Sequence, residues 1–182
     1  MDMSYLKTRL SNDTSSSMEH FTNYKHAAVL VLIFGTSPNV LMIKKSKNLN
    51  IHAGEIAFPG GKFNADVDLL DTALRETREE VGLNITREQV IGQLDSVITL
   101  NSGYMIKPFI AISSNIHNPV KDSEVESIFN IPLEPLLNTL EEDVETQSHH
   151  YDKSFKLKYQ NLVIWGATAR ILYQIAKRLD MI

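Results

Sequence analysis

Apolar and polar positions along this chain fall into blocks that switch between strand and helix periods. Residues 27 to 34 (AAVLVLIF) are continuously apolar and rich in β-branched side chains, and Gly35-Thr36-Ser37-Pro38-Asn39 supplies turn chemistry before residues 40 to 45 (VLMIKK). Two paired, hairpin-like strands are expected there. A polar loop through His52 and Gly54 leads to a brief strand over 55 to 58 and then to Pro59-Gly60-Gly61. Over residues 69 to 81, Leu70, Ala73, Leu74, Thr77 and Val81 recur at helical spacing, with Gly82 as the stop. Residues 90 to 100 and 104 to 112 read as strands around Asn101-Ser102-Gly103, and 123 to 131 runs from a polar loop into a further strand. A helix is expected over 133 to 140, strands over 155 to 158 and 162 to 165, and a last helix over 167 to 179 on Ile171, Leu172, Ile175, Ala176 and Leu179. Trp165, at a strand end, is expected to fill the core.

This order of strands, helix, strands, helix predicts an α/β (α+β) fold with a mixed β-sheet packed between α-helices, not a regular βαβ alternation. Residues 11 to 17 (SNDTSSS) are polar and serine-rich. Residues 1 to 24 are therefore expected to be peripheral, and 25 to 182 to form a single domain. The composition agrees: 182 residues, 43% hydrophobic and 22% charged, suit one globular unit. With no cysteine there is no disulfide framework, thiolate zinc site or cysteine nucleophile, and a reducing compartment fits. A net charge of -4 gives no global pull toward nucleic acid or anionic lipid. No secretory signal or membrane-spanning run is visible, which points to the cytoplasm. Neither a GxGxxG nor a GxxxxGK[ST] motif is present.

The chemistry concentrates in residues 75 to 83, RETREEVGL. At roughly 100° per residue, Glu76, Glu79 and Glu80 fall near 0°, -60° and +40°, so three carboxylates share a face beside the apolar stripe. Such crowding is unfavourable unless a cation lies among them, and hard oxygen donors suit Mg2+ or Mn2+. The competing reading is a solvated face with ordinary pairs such as Arg75 with Glu79.

Gly60-Gly61, thirteen residues and then RETREEVGL resemble the Nudix box, G-x5-E-x7-R-E-U-x-E-E-x-G-U, where U is bulky and apolar. Gly61, Arg75, Glu76, Glu79, Glu80, Gly82 and Leu83 match. Thr77 stands at the first U, and Val67 replaces the first Glu between two acids, Asp66 and Asp68, either of which can serve in its place. Upstream, Leu41, Ser46, Gly54, Phe58, Pro59, Gly60 and Gly61 resemble the signature of the coenzyme A pyrophosphatase branch; Lys45 stands for its first Arg and Asn50 for its second. The resemblance covers about residues 27 to 175.

What the resemblance implies is a Nudix-type fold and a metal-dependent hydrolase that cuts a phosphoanhydride. Coenzyme A or an acyl derivative is the leading substrate, giving 3',5'-ADP and a phosphopantetheine. Two alternatives stay open. Asn50 favours ADP-ribose or another nucleoside diphosphate conjugate, and Val67 admits a nucleotide-binding module without turnover. Glu76, Glu79 and Glu80 are the expected metal ligands and catalytic acids, with Arg75 orienting a ligand carboxylate. The base is a box glutamate or Glu124. Lys45, His52, Gly60, Gly61 and Lys62 are expected at the substrate, and Lys44, Lys45, Lys47 and Lys62 give it local positive charge. Gly60 and Gly61 are read as a sharp turn that brings backbone close to metal or phosphate. His149-His150 lacks ligand spacing and is read as surface. The expected partner is a nucleotide-type small molecule, not nucleic acid or membrane, and a homodimer is compatible with the pattern.

Overall fold

The structure is a computed structural model that describes residues 1–14, 24–49, 52–99, 102–144 and 154–182. The serine-rich stretch from residue 15, Asn50, Asn101 and the His149-His150 pair lie outside the described residues.

In chain order the elements are α1 (Met3–Leu10), β1 (Lys25–Phe34), β2 (Asn39–Lys45), β3 (Ile56–Ala57), β4 (Gly60–Lys62), α2 (Leu69–Val81), β5 (Val90–Gln93), β6 (Val97–Ile98), β7 (Tyr104–Ser113), β8 (Val125–Pro132), α3 (Leu133–Leu137), β9 (Glu141–Glu142), β10 (Phe155–Tyr159), β11 (Leu162–Ile164) and α4 (Gly166–Arg178). The main sheet runs β3-β2-β1-β7-β5, with β4 on β1, β6 on β7 and β8 on β2; β11-β10-β9 form a smaller one. The central pair, β1 with β7, is parallel from Lys25 opposite Tyr104 to Phe34 opposite Ser113, and the neighbours of this pair are antiparallel. The sheet is mixed, as expected.

The unbroken apolar run of β1 has a simple cause: both faces of the sheet are covered. Ala28, Leu30 and Leu32 point to one core with Leu41 and Ile43 of β2 and with Leu70, Ala73 and Val81 of α2. Val31 and Ile33 point the other way, with Val40 and Met42, onto Ile171, Leu172 and Ile175 of α4. Alternation along a strand thus builds two cores, and α2 is held flat on one of them.

The N-terminal segment departs from its expected peripheral character. Met3–Leu10 is a helix, started by the Asp2 side chain accepting from the Tyr5 N–H at 2.8 Å, and its Leu6 and Leu10 are fully buried beside α4. Trp165 corrects another expectation. It precedes α4 with 51% of its surface exposed, so it does not fill the core; Ile164 beside it does. Among the described residues no helix is long and apolar enough to cross a membrane.

Candidate active site

The helix α2 is defined at both ends by its own sequence. Asp68 caps its start, accepting from the Asp71 N–H at 2.8 Å, and Gly82 ends it at φ +69°, a left-handed turn that suits glycine. Thr77, the polar residue in an apolar slot, is fully buried and donates its hydroxyl to the Ala73 carbonyl at 2.7 Å. Its hydrogen bond is satisfied within the helix, which is why it fits there.

The three glutamates lie in three different environments, in the order their angles on the helix imply. Glu80, on the edge nearest the apolar stripe, is only 3% exposed; Glu79, on the far edge, is 51% exposed at its side chain. Glu76 lies between and is half-buried. One oxygen of Glu80 accepts the Gly60 N–H at 2.9 Å, and the other is paired with the Lys45 ammonium. Burial pushes the Glu80 carboxyl above the usual range, opposed by Lys45 and the Gly60 amide. Burial raises Glu76 as well, opposed chiefly by Arg75.

Gly60 and Gly61 form strand β4, not the sharp turn expected of them. They pair with Val29 and Ala28 of β1, and the strand is clamped between sheet and helix. A Cβ on Gly60 would lie 2.3 Å from the Ala28 carbonyl oxygen, and one on Gly61 would lie 2.4 Å from the Glu76 carboxyl carbon. The close backbone approach expected of these glycines is there, and its object is the two glutamates.

Arg75 gathers the acids. Its Nη1 meets Glu76 at 2.9 Å and Glu79 at 2.8 Å, while Nε and Nη2 reach Asp66 at 2.9 and 3.1 Å. The i, i+4 pair with Glu79, which marked the competing reading of this face, is therefore present. Val67 is 89% exposed and takes no part. Of its two acidic neighbours, Asp68 is occupied by capping and by Arg87, and Asp66 is the one on Arg75. Arg75, with a further hydrogen bond from Thr72, holds the Asp66 carboxyl down to about 2, against the opposing effect of burial. Asp66 is the residue that sequence reasoning left as one of a pair; its distance from Arg75, nine positions, carried no helical or strand signal.

The other expected residues divide. Lys45 pairs directly with the buried Glu80. His52 is exposed, at φ +63° with Nδ1 2.9 Å from Glu55, on a loop tied to the end of β2 by Glu55 O to the Lys45 N–H and Gly54 N–H to Lys45 O. Lys62 places its ammonium 5.8 Å from the centre of the Tyr104 ring, and Lys44 pairs with Glu126 at 2.8 Å. The expected lysine cluster is thus partly spent on local partners. Glu124 is exposed in the turn before β8; its carbonyl accepts from Ser46 N–H at 2.8 Å, and Asp122 two residues earlier donates its N–H to the Glu80 carbonyl at 3.1 Å. That loop borders the C-terminal end of α2 but brings no Glu124 carboxylate contact to the three glutamates among the described residues.

No three acids or histidines are drawn into one coordination sphere among the described residues. The donor chemistry nevertheless fits a hard divalent ion. Glu76 and Glu80 are carboxylates one helical turn apart, both resisting charge through burial, and both face the backbone of β4. The positive charge that such a pair calls for is supplied here by Lys45 and Arg75.

The sequence profile described as the NUDIX domain matches residues 24–153. A Photorhabdus laumondii protein named "Uncharacterized Nudix hydrolase NudL" is 34% identical over 174 residues, 87% of each chain. Among solved structures, a MutT/nudix family protein from Enterococcus faecalis superposes with a TM-score of 0.63 at 15% identity, over 91% of this chain and 66% of the other. The NUDIX domain of Shewanella oneidensis NrtR, solved with ADP ribose, superposes at 0.60 and 16% identity, over 91% and 94%. At these identities the two structures speak for the fold alone.

Proposed function

This chain belongs to the Nudix hydrolase family, and from that premise we propose that it hydrolyses the pyrophosphate bond of coenzyme A or an acyl derivative, using Mg2+ or Mn2+ held by Glu76 and Glu80 with Glu79 beside them. The observation that carries the reading is the pair of carboxylates, half-buried Glu76 and buried Glu80, pressed onto the Gly60-Gly61 backbone. Nothing in core packing calls for two such acids, and one of them is almost fully buried.

When bound, the divalent ion would neutralise phosphate oxygens and favour attack by water. The chain's own residues do the positioning. Arg75 fixes Glu76 and Glu79, Asp66 fixes Arg75, and β4 keeps the backbone close while excluding any side chain from the gap. Glu79, exposed on the outer edge, is the box carboxylate with access to a water from solvent, and Glu124 on the bordering loop is the second candidate for the base.

Coenzyme A is favoured by the register of Leu41, Ser46, Gly54 and Phe58 with Pro59-Gly60-Gly61. ADP-ribose or another nucleoside diphosphate conjugate is the second reading. It is favoured by Asn50, which cannot clamp a phosphate as an arginine does. Incubation with coenzyme A, an acyl-coenzyme A and ADP-ribose in Mg2+ or Mn2+, with products resolved by chromatography, decides between them. Cleavage of the coenzyme A compounds to 3',5'-ADP is expected, with activity lost in Glu80→Gln. Failure to cleave any of the three with metal present, or full activity in Glu80→Gln, would overturn the assignment.

A further inference from the structure

Glu80 has two carboxylate oxygens and two partners of different character. The Gly60 N–H, 2.9 Å from one oxygen, is part of a strand paired to β1 and cannot leave without disturbing the sheet. The Lys45 ammonium, on the other oxygen, is the end of a flexible four-carbon chain.

That ammonium is itself well sequestered, with the Lys45 side chain 16% exposed, and its charge is also felt by Glu76. The lysine backbone is pinned. Its N–H donates to Glu55 O at 2.9 Å, its carbonyl accepts from Gly54 N–H at 3.1 Å, and the strand register shifts between Lys44 and Lys45 where β2 meets β8. The neighbouring lysine is directed to Glu126 instead. The chain end of β2 is therefore built to deliver one particular ammonium to one particular buried carboxylate.

We propose that Lys45 is a built-in stand-in for the divalent ion: it neutralises Glu80 when no metal is bound, must give up that oxygen when metal enters, and so sets the metal affinity of the site. The inference rests on the proposed metal-dependent function. It follows from charge and space. A buried carboxylate needs a counter-charge in the metal-free protein, and an ammonium on the same oxygen is a competitor once an ion arrives. Pinned by its backbone, the displaced Lys45 stays at the rim as a tethered cation where an incoming phosphate can meet it.

Manganese affinity is measured by the electron paramagnetic resonance signal of free Mn2+, at about pH 8.5 so that protons do not compete for the carboxylates. The proteins compared are the wild type, Lys45→Gln, Lys45→Arg and Glu80→Gln. Lys45→Gln keeps a hydrogen-bond donor without its charge and is expected to bind Mn2+ tighter by on the order of tenfold. Lys45→Arg is expected to stay close to wild type and Glu80→Gln to bind more weakly. In the wild-type protein, amine-reactive labelling of Lys45, read by mass spectrometry, is expected to rise when Mn2+ is added. If Glu80→Gln weakens binding but Lys45→Gln does not tighten it, the stand-in role is overturned and the metal site survives. If Glu80→Gln binds Mn2+ as the wild type does, the metal assignment itself falls. Should Lys45→Gln not fold, labelling of Lys45 that is unchanged by Mn2+ overturns the proposal on its own.

Discussion

Asp66 grips Arg75 with both carboxylate oxygens, at 2.9 and 3.1 Å, from one position before the residue where the Nudix box has its first glutamate. The box residue itself, Val67, points to solvent. The acid is displaced along the chain while its partner is kept, and Arg75 in turn holds Glu76 and Glu79.

Asp66→Asn removes the charge that fixes Arg75 and is expected to destabilise the fold by about 2 kcal/mol. It should lower kcat/KM by roughly ten- to a hundredfold, because the glutamates lose their alignment. Asp66→Glu should recover most of the loss. Val67→Glu, in an otherwise unchanged protein, should alter kcat/KM by less than about threefold, since the Arg75 donors are already taken. Steady-state kinetics and urea unfolding on these three variants check the assignment.

The same contact has a pH signature. Asp66 ionises at about 2 in the folded protein against an ordinary 3.8, so the folded state holds its proton less tightly than the unfolded one. Its contribution to stability is present above the unfolded value and is lost as pH falls through the folded value. The gap in unfolding free energy between wild type and Asp66→Asn should therefore be constant from neutral pH to about 5 and close as pH falls further toward 2. Denaturant titrations at several pH values measure it.

Gly61→Ala tests the clamp between β4 and α2. The added methyl carbon would lie 2.4 Å from the Glu76 carboxyl carbon, so either the strand or the glutamate must move. Strand β4 is paired to β1, and Glu76 is the part that yields. A fold with unchanged circular dichroism, a stability loss of about 1–3 kcal/mol and at least a tenfold fall in kcat is the expected outcome.

Glu79→Gln and Glu124→Gln separate the two candidates for the base. The variant that removes the base should lower kcat by about a hundredfold or more and flatten the acid limb of the pH–rate profile. The other should keep the wild-type limb. Profiles of kcat against pH for both variants identify the residue.

Much of this was legible in the chain. The α2 boundaries, Leu69 and Val81, follow from its apolar period and Gly82, and the graded burial of Glu80, Glu76 and Glu79 follows from their angles to that stripe. Other features had no local signal. Helix α1 offers little beyond Leu6 and Leu10 as an apolar stripe, and it packs against β5 and α4, both far along the chain. Two glycines carry no alternation, so Gly60-Gly61 read as a turn and not as a strand. The pairing of Lys45 with Glu80 spans 35 positions and depends on how the end of β2 meets β8. Trp165 misled because size alone suggested burial, while its place ahead of α4 leaves it half in solvent.

The Gly60 amide ties the fate of the acids to that of the sheet. One residue, inside a strand hydrogen-bonded to β1, also supplies the fixed hydrogen bond on Glu80. Whatever lets β4 peel from β1 takes this hydrogen bond from Glu80 at the same moment, and whatever keeps the sheet intact keeps it in place. The fixed hydrogen bond on Glu80 is thereby as durable as the central sheet itself.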